Sequence, residues 1–479
     1  MSGADQREPA AELGLLDATM IGMGAMIGAG IFVLTGLAAD IAGPAAILVF
    51  ALNGVVTAFT ALSYAELASA IPKSGGGYAF VREVFADLPS FVMGWMLWFA
   101  YMIAGTLYAL GFAPNFIELL HVYGVVAPPG EIGAVAIPLL PFAVSPQVGL
   151  AFLAVLLLVT VNLVSTAASG SLETVFTAVK VSILVVFVGF GLVSPMFAPA
   201  AEFQPLFPAG EGPVAILPAM GLTFIAFEGY DLITTVTEEV ENPRQNIPRA
   251  IFISLAVTLV VYLAVVTVAI GTLGATGLAE AGEAGIAQAA TAFMPTFPVI
   301  GQGGAVIVFG AVFSTLTALN AVVIASSRVG FAMGREGQLP ACVGQIHHRF
   351  GTPFFAIVAS SVVMLVAVVL PTQSAGNMSS LFFLLSFVVV NGAVIKLRRE
   401  RPNMNRPYEI PFYPVPPVLG ILLNLSLTGV LIWYLVRTDP LALALTAGWI
   451  ALGVVGYAVA GSRSEPEPTG DDAEPVAED

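Results

Sequence analysis

Cysteine is almost absent. Cys342 is the only one in 479 residues, so the chain can build neither an internal disulfide nor a cluster of thiolates around a metal. Histidine is nearly as scarce: His121, His347 and His348 are the full set. The last two fall in a predicted loop with no third ligand nearby, so no metal site is expected. No catalytic residue set and no cofactor are expected either, because no nucleophile stands beside a base. Charge is the third deficit, at 10% of residues against about 25% in an ordinary soluble domain. Lysine occurs only at 73, 180 and 396. With a formal net charge of −15, the chain offers no basic surface for nucleic acid.

What it has instead is apolar length. Hydrophobic residues make up 58% of the chain, in run after run of the roughly 20 residues that cross ~30 Å of hydrocarbon as a helix. Twelve spans are expected, at 17–40, 43–71, 89–118, 147–167, 172–194, 213–237, 247–275, 299–332, 353–371, 377–396, 414–436 and 440–461. With both termini in the cytoplasm, Arg7, Lys73, Arg82, Arg244, Arg249, Arg328, Arg335, Arg349, Lys396, Arg398, Arg399, Arg401, Arg406 and Arg463 lie inside, and only Arg437 outside. That bias fixes the expected orientation in the cell membrane, and it accounts for the basic stretch Lys396–Arg406 as a retention signal. Lys180, the sixteenth basic residue, falls inside the fifth span rather than at a cytoplasmic end or in a loop. The outer loops carry Glu118, Glu131, Glu202, Glu211, Glu280 and Glu283, a pattern that suits a high-salt habitat or simply an acidic protein. Residues 1–16 lack a basic region ahead of a short apolar core, so no cleaved signal peptide is expected. The acidic, proline-rich residues 462–479 have too little apolar surface to fold.

The first ten spans divide into two sets of five, 17–194 and 213–396, joined by an outer loop at 195–212. Residues 397–461 add a basic loop and two more helices. Five being odd, the second set starts from the opposite side of the membrane, as an inverted repeat requires. Both sets open on an interrupted helix. The first reads "MIGMGAMIGAGIF" (Met20–Phe32), with glycines at 22, 24, 28 and 30; the second reads "GLTFIAFEGYD" (Gly221–Asp231), with Gly229 between two carboxylates. Gly24 and Gly28 also form a small-xxx-small pair suited to close helix packing. Glu228 and Asp231 serve no such purpose in lipid, where a carboxylate near the centre costs at least ~2.5 kcal/mol. The glycines are therefore expected to unwind the first helix and free backbone groups for a ligand.

Four motifs, in order, carry a family resemblance: "GAGIF" (Gly28–Phe32), "SYAELASAIPKSGGGYAFVREVF" (Ser63–Phe85), "FEGYDLITTVTEEVENPRQNIPRAI" (Phe227–Ile251) and "ALNAVVIASSRVGFAMGREGQLP" (Ala318–Pro340). The chain resembles the amino acid–polyamine–organocation (APC) transporters over 17–461. The resemblance implies an all-α polytopic membrane protein with the LeuT-type 5+5 inverted repeat plus two C-terminal helices, twelve in all. It implies a secondary transporter for an amino acid, cationic or neutral, working by alternating access; a carrier of polyamines or other amines, or an ion channel, stands as the alternative. In the family's pattern, amides of Gly28, Ala29 and Gly30 take the substrate carboxylate. Carbonyls of Met26, Ile225 and Glu228 take its ammonium, and Phe224 and Phe227 are candidates for an aromatic cover. The third span reads Ala100 before Tyr101 where some cationic carriers have a carboxylate, while Glu228 supplies one in the break.

Lys180 lies on the order of 12 Å into the fifth span, about two turns. Some proton-coupled members of the family have a lysine there, which implies sodium-independent transport, either linked to the proton as coupling partner or by exchange. The expected contacts are carbonyls of the first break and the hydroxyls of Ser314 and Thr317. "EEVENPRQNIP" reads either as a solvated loop or as a latch pairing Glu238, Glu239 and Glu241 with Arg244 and Arg249.

Overall fold

A computed structural model describes residues 13–127, 132–133, 135–136, 143–164, 170–208, 210, 212–297 and 301–461. Arg7, Glu131, Glu211, Arg463 and the acidic tail lie outside the described residues. Glycine and proline punctuate the apolar runs into helices. α1 (Leu15–Met26) and α2 (Ala29–Ala42) form one interrupted span, and a tight turn at Gly43–Ala45 sends α3 (Ala46–Ala70) back. The short α4 (Gly76–Val84) precedes the long α5 (Asp87–Val122), then α6 (Pro146–Val164), α7 (Gly170–Leu192) and the four-residue α8 (Pro199–Glu202). α9 (Ile216–Thr223) leads into irregular backbone, followed by α10 (Pro243–Ala281), α11 (Gly285–Phe293), α12 (Gly304–Arg335), α13 (Phe354–Ala367), α14 (Thr372–Glu400), α15 (Val415–Thr438) and α16 (Pro440–Gly461). Strand is confined, among the described residues, to two ribbons: Val135–Ala136 with Ala143–Val144, and Thr296–Phe297 with Gly301–Gln302.

Among the described residues, ten segments are long and apolar enough to cross a membrane. The first, Leu15–Ala70, has 56 residues, which as one straight rod would measure roughly 84 Å; the turn at Gly43, φ +59°, makes two crossings of it. The expected ninth span, 353–371, is shorter than the sequence suggests. α13 has 14 helical residues, about 21 Å, because Val368 caps it and Pro371 opens the next helix. α10 bends at Gly274 (φ +73°), so its apolar rod ends where the seventh span was expected to. α5 runs through the centre of the bundle with its most apolar stretch fully buried, packed on α12 and α14. α6, α7, α15 and α16 turn Leu153, Leu157, Val185, Leu422 and Leu452 outward, an apolar face matched to lipid rather than water.

Opposite charges meet at one end of the bundle. Arg82 reaches Glu336 at 3.2 Å, Arg328 reaches Glu239 at 3.6 Å, and Lys73 and Arg401 hold Glu83 at 2.9 and 3.2 Å. Those two cations keep the Glu83 carboxyl below the usual carboxylate range. Buried Glu66 accepts a two-pronged bond from Arg398 at 2.6 and 2.7 Å and the Ile410 amide at 2.8 Å. Of the two readings of "EEVENPRQNIP", the latch within the segment is the one the contacts contradict. Glu239 pairs with Arg328 of α12, Glu238 accepts the Ser74 amide, and Arg244 donates to the Ser69 carbonyl. Asn242, held at φ +45°, reverses the chain and carries Arg244 and Arg249 away from the preceding acids.

Candidate functional site

The two breaks lie against each other. In the first, only Ile27 (ψ 67°) and Gly28 (ψ −136°) leave helical geometry. Gly22 and Gly24 stay helical within α1, and Gly30 lies in the first turn of α2. Most of the glycines thus serve close approach rather than unwinding. A Cβ on Gly24 would stand 2.3 Å from Thr177 Oγ1, one on Gly28 2.6 Å from the Ala318 Cβ, and one on Gly30 2.7 Å from the Ala226 Cα. The second break runs from the 3-10 turn Phe224–Phe227 through extended Glu228 and left-handed Gly229, φ +135°. A Cβ at Gly229 would stand 2.6 Å from the Met26 nitrogen, so each break needs a glycine where it crosses the other.

Polar side chains from the surrounding helices staple this crossing. The Tyr262 hydroxyl of α10 bonds the Met26 carbonyl and lies 2.9 Å from that of Ala226, sharing one proton between the two breaks. Ser314 of α12 donates to the Ile27 carbonyl, while Thr317 donates to the Ser314 carbonyl of its own helix at 3.0 Å. Asn53 of α3 bonds the Met220 carbonyl at 2.9 Å, and Ser380 of α14 accepts the Ile225 amide at 3.2 Å. The Met26 carbonyl also takes the Gly28 amide, and the Ile225 carbonyl takes the Glu228 amide. Two carbonyls singled out in the sequence are therefore already engaged.

The start of α2 differs. A helix leaves its first amides without intrahelical acceptors, and Gly28 at the cap has no side chain to supply one. Ala29, Gly30 and Ile31 accordingly show no acceptor among the described residues. These buried donors sit at the positive end of the α2 dipole, a ready-made anion site.

Glu228 is the complement. It is 4% exposed, and neither carboxyl oxygen has a hydrogen-bond partner among the described residues. Asp231 is satisfied by contrast, accepting the Gly229 amide at 2.9 Å and the Tyr101 hydroxyl of α5. Glu228 borders a cavity of ≈ 10 Å³ walled by Ala25, Tyr101, Tyr108, Ala318 and Phe383, room for about one water molecule. That cavity shares Ala25 and Leu232 with a second of ≈ 110 Å³, which shares Thr235, Glu239 and Arg328 with a vestibule of ≈ 720 Å³ at the charged end. The three cavities thus follow one another between the charged end and Glu228, each sharing wall residues with the next. Phe224 and Phe227 do not border the cavity: Phe224 packs on Phe387, and Phe227 on Phe50 and Tyr262. Tyr101, Tyr108 and Phe383 are the rings that do.

Lys180 is fully buried and donates to the Gly24 carbonyl at 2.9 Å, with Glu173 4.0 Å away. It thus meets α1 one turn before the break, where the missing side chain of Gly24 makes room for Thr177 and Glu173 of the same helix as Lys180. Glu173 escaped the sequence reading although a signal existed, since seven residues along a helix return to the same face. Tyr262 left no such signal; it stands 236 positions from the carbonyl it bonds.

A family model described as "Amino acid permease" matches residues 13–459. The chain is 30% identical over 456 residues to the "Branched-chain amino acid permease BcaP" of Bacillus subtilis (strain 168), covering 93% of this chain and 92% of that one. It is 31% identical over 451 residues to the "Methylthioribose transporter" of the same organism, with the same coverage. With the "Asc-type amino acid transporter 1" of Homo sapiens it shares 30% over 460 residues, 88% of this chain and 82% of that one.

Proposed function

Since the chain belongs to the amino acid permease family and is a membrane transporter of amino acids rather than an enzyme, we propose that its site takes a neutral amino acid between the two broken helices. The α-carboxylate lies on the free amides of Ala29 and Gly30, with Ile31 beside them, at the start of α2, joined by the Gly28 amide only once it leaves the Met26 carbonyl, and the α-ammonium lies on Glu228. The observation that carries this is the pairing of unsatisfied groups: free buried donors on one break, one unpartnered carboxyl on the other. A zwitterion satisfies both, whereas a sugar such as methylthioribose would leave the carboxyl without a cation. A lysine or arginine substrate brings a second positive charge, and no second free carboxylate borders the cavity. Relatives such as the branched-chain amino acid permease point the same way.

The breaks also support the two-repeat organisation, 17–194 and 213–396, of the LeuT type, and the charge bias supports a cytoplasmic vestibule in the cell membrane. The ≈ 10 Å³ cavity at Glu228 is too small for any amino acid, so loading requires α1 and the second break to part. Coupling is sodium-independent and linked to protons or exchange, with Lys180 charged while it holds the Gly24 carbonyl and neutral when it lets go. Counterflow into proteoliposomes with leucine, alanine, lysine and methylthioribose tests the substrate. Leucine or alanine should exchange and lysine should not; saturable lysine uptake of equal efficiency overturns the neutral assignment. Imposed sodium and pH gradients test the coupling, where a strict sodium requirement, or a Lys180→Ala protein with wild-type pH response, counts against it.

A further inference from the structure

Glu228 has two oxygens and no donor for either among the described residues. The elements around it bring no cation. α1, α12 and α14 present Ala25, Ala318, Val322 and Phe383, and α5 presents the phenols Tyr101 and Tyr108. Its own segment adds Tyr230 and the satisfied carboxyl of Asp231, and Tyr64 of α3 stacks edge-on against Tyr230. Lys180 and Arg328 are engaged elsewhere, at Gly24 with Glu173 and at Glu239. A bare carboxylate walled by alanine, valine and aromatic rings, beside a second carboxyl, is not sustained without a cation.

Resting on the reading that Glu228 meets the substrate's ammonium, we infer that loading swaps a proton for that ammonium: the empty site holds Glu228 as the carboxylic acid, and the docking amino acid displaces its proton. The carboxyl O–H bond breaks, the proton passes to water in the vestibule, and the ammonium keeps its own three protons and bonds the carboxylate. The site near Glu228 is neutral before and after, while the incoming α-carboxylate is met by the α2 amides. The carrier then changes face with Glu228 either protonated or paired, never bare. Exchange of one amino acid for another therefore runs at any pH, while return of the empty carrier needs a proton.

Titration calorimetry of the purified full-length protein with L-leucine or L-alanine, near neutral pH in phosphate and in Tris, measures the proton directly. The heats should differ between buffers by roughly one proton released per amino acid, and affinity should rise about tenfold per pH unit while the empty site stays protonated. 2-Hydroxyisocaproate, which lacks the ammonium, should release none. Glu228→Gln should bind leucine weakly and without proton release, and Glu228→Asp should keep the release. Wild-type binding with buffer-independent heat, release unchanged in Glu228→Gln, or equal release with the hydroxy acid overturns the exchange while leaving amino acid binding intact. Absence of amino acid binding in the wild type, or Glu228→Gln binding as tightly as wild type, brings down the underlying reading and this inference with it.

Discussion

At Gly28 and Gly30 the function of a residue is the absence of a side chain. Their missing Cβ atoms let α1–α2 touch Ala318 and Ala226, and that contact holds the start of α2 against α12 and the second break. Leucine at either position has no flexible neighbour to displace at Gly30, where the clash is with backbone. Gly28→Leu and Gly30→Leu should insert and reach the membrane yet lose amino acid uptake altogether; a transporting mutant would remove the amides from the site. Tyr101 acts through Asp231 in a different way. It keeps that carboxyl satisfied, so Glu228 is the one free carboxyl on the cavity wall.

The interrupted helices are held by their neighbours. α10 and α12 send Tyr262 and Ser314 to the carbonyls that the break exposes at Met26 and Ile27. Removing the Tyr262 hydroxyl leaves two buried carbonyls competing without it, a loss of about 1–3 kcal/mol. Tyr262→Phe should therefore lower the thermal unfolding midpoint and reduce transport together, measured by unfolding in detergent and by uptake. An unchanged midpoint would mean that the breaks hold each other without the staple. α7 plays the matching part on the other side of α1, through Lys180, Thr177 and Glu173.

Across the whole molecule, one end is tied by charge and open, and the run of cavities toward Glu228 starts there. Glu66 joins α3 to α14 and to the loop before α15 through Arg398 and Ile410, with the Arg406 guanidinium 3.7 Å away. Glu66→Gln leaves those guanidinium groups without a carboxylate, for a loss of roughly 3 kcal/mol, the low end for a buried pair because Arg398 keeps contact with solvent. The unfolding midpoint should fall, while the surviving fraction keeps wild-type substrate affinity. That run can be tested by thiol chemistry. In a Cys342→Ser background, Thr235→Cys should react with a membrane-impermeant thiol reagent from the cytoplasmic side only, and amino acid should alter its rate. Labelling from the outside alone would reverse the proposed orientation.

Composition and run length determined the class and most of the spans, because crossing hydrocarbon demands about 20 apolar residues whatever the tertiary fold. The same constraint makes Glu228, Asp231 and Lys180 stand out, since charge inside such a run is costly enough to mark function. Glycine was ambiguous: a helix tolerates it for packing as well as for unwinding, and only the crossing of the two breaks showed that most of these glycines pack. The ninth span came out short because periodicity fixes a helix's ends poorly where prolines flank it. The partners of the charges were settled by tertiary structure alone. Arg328 with Glu239, Tyr101 with Asp231 and Tyr262 with Met26 are far apart in the chain, and nothing local encodes which distant side chain a buried polar group meets. That Asp231 is satisfied and Glu228 is not, the difference on which the proposed chemistry turns, was decided by how α5 packs beside the second break.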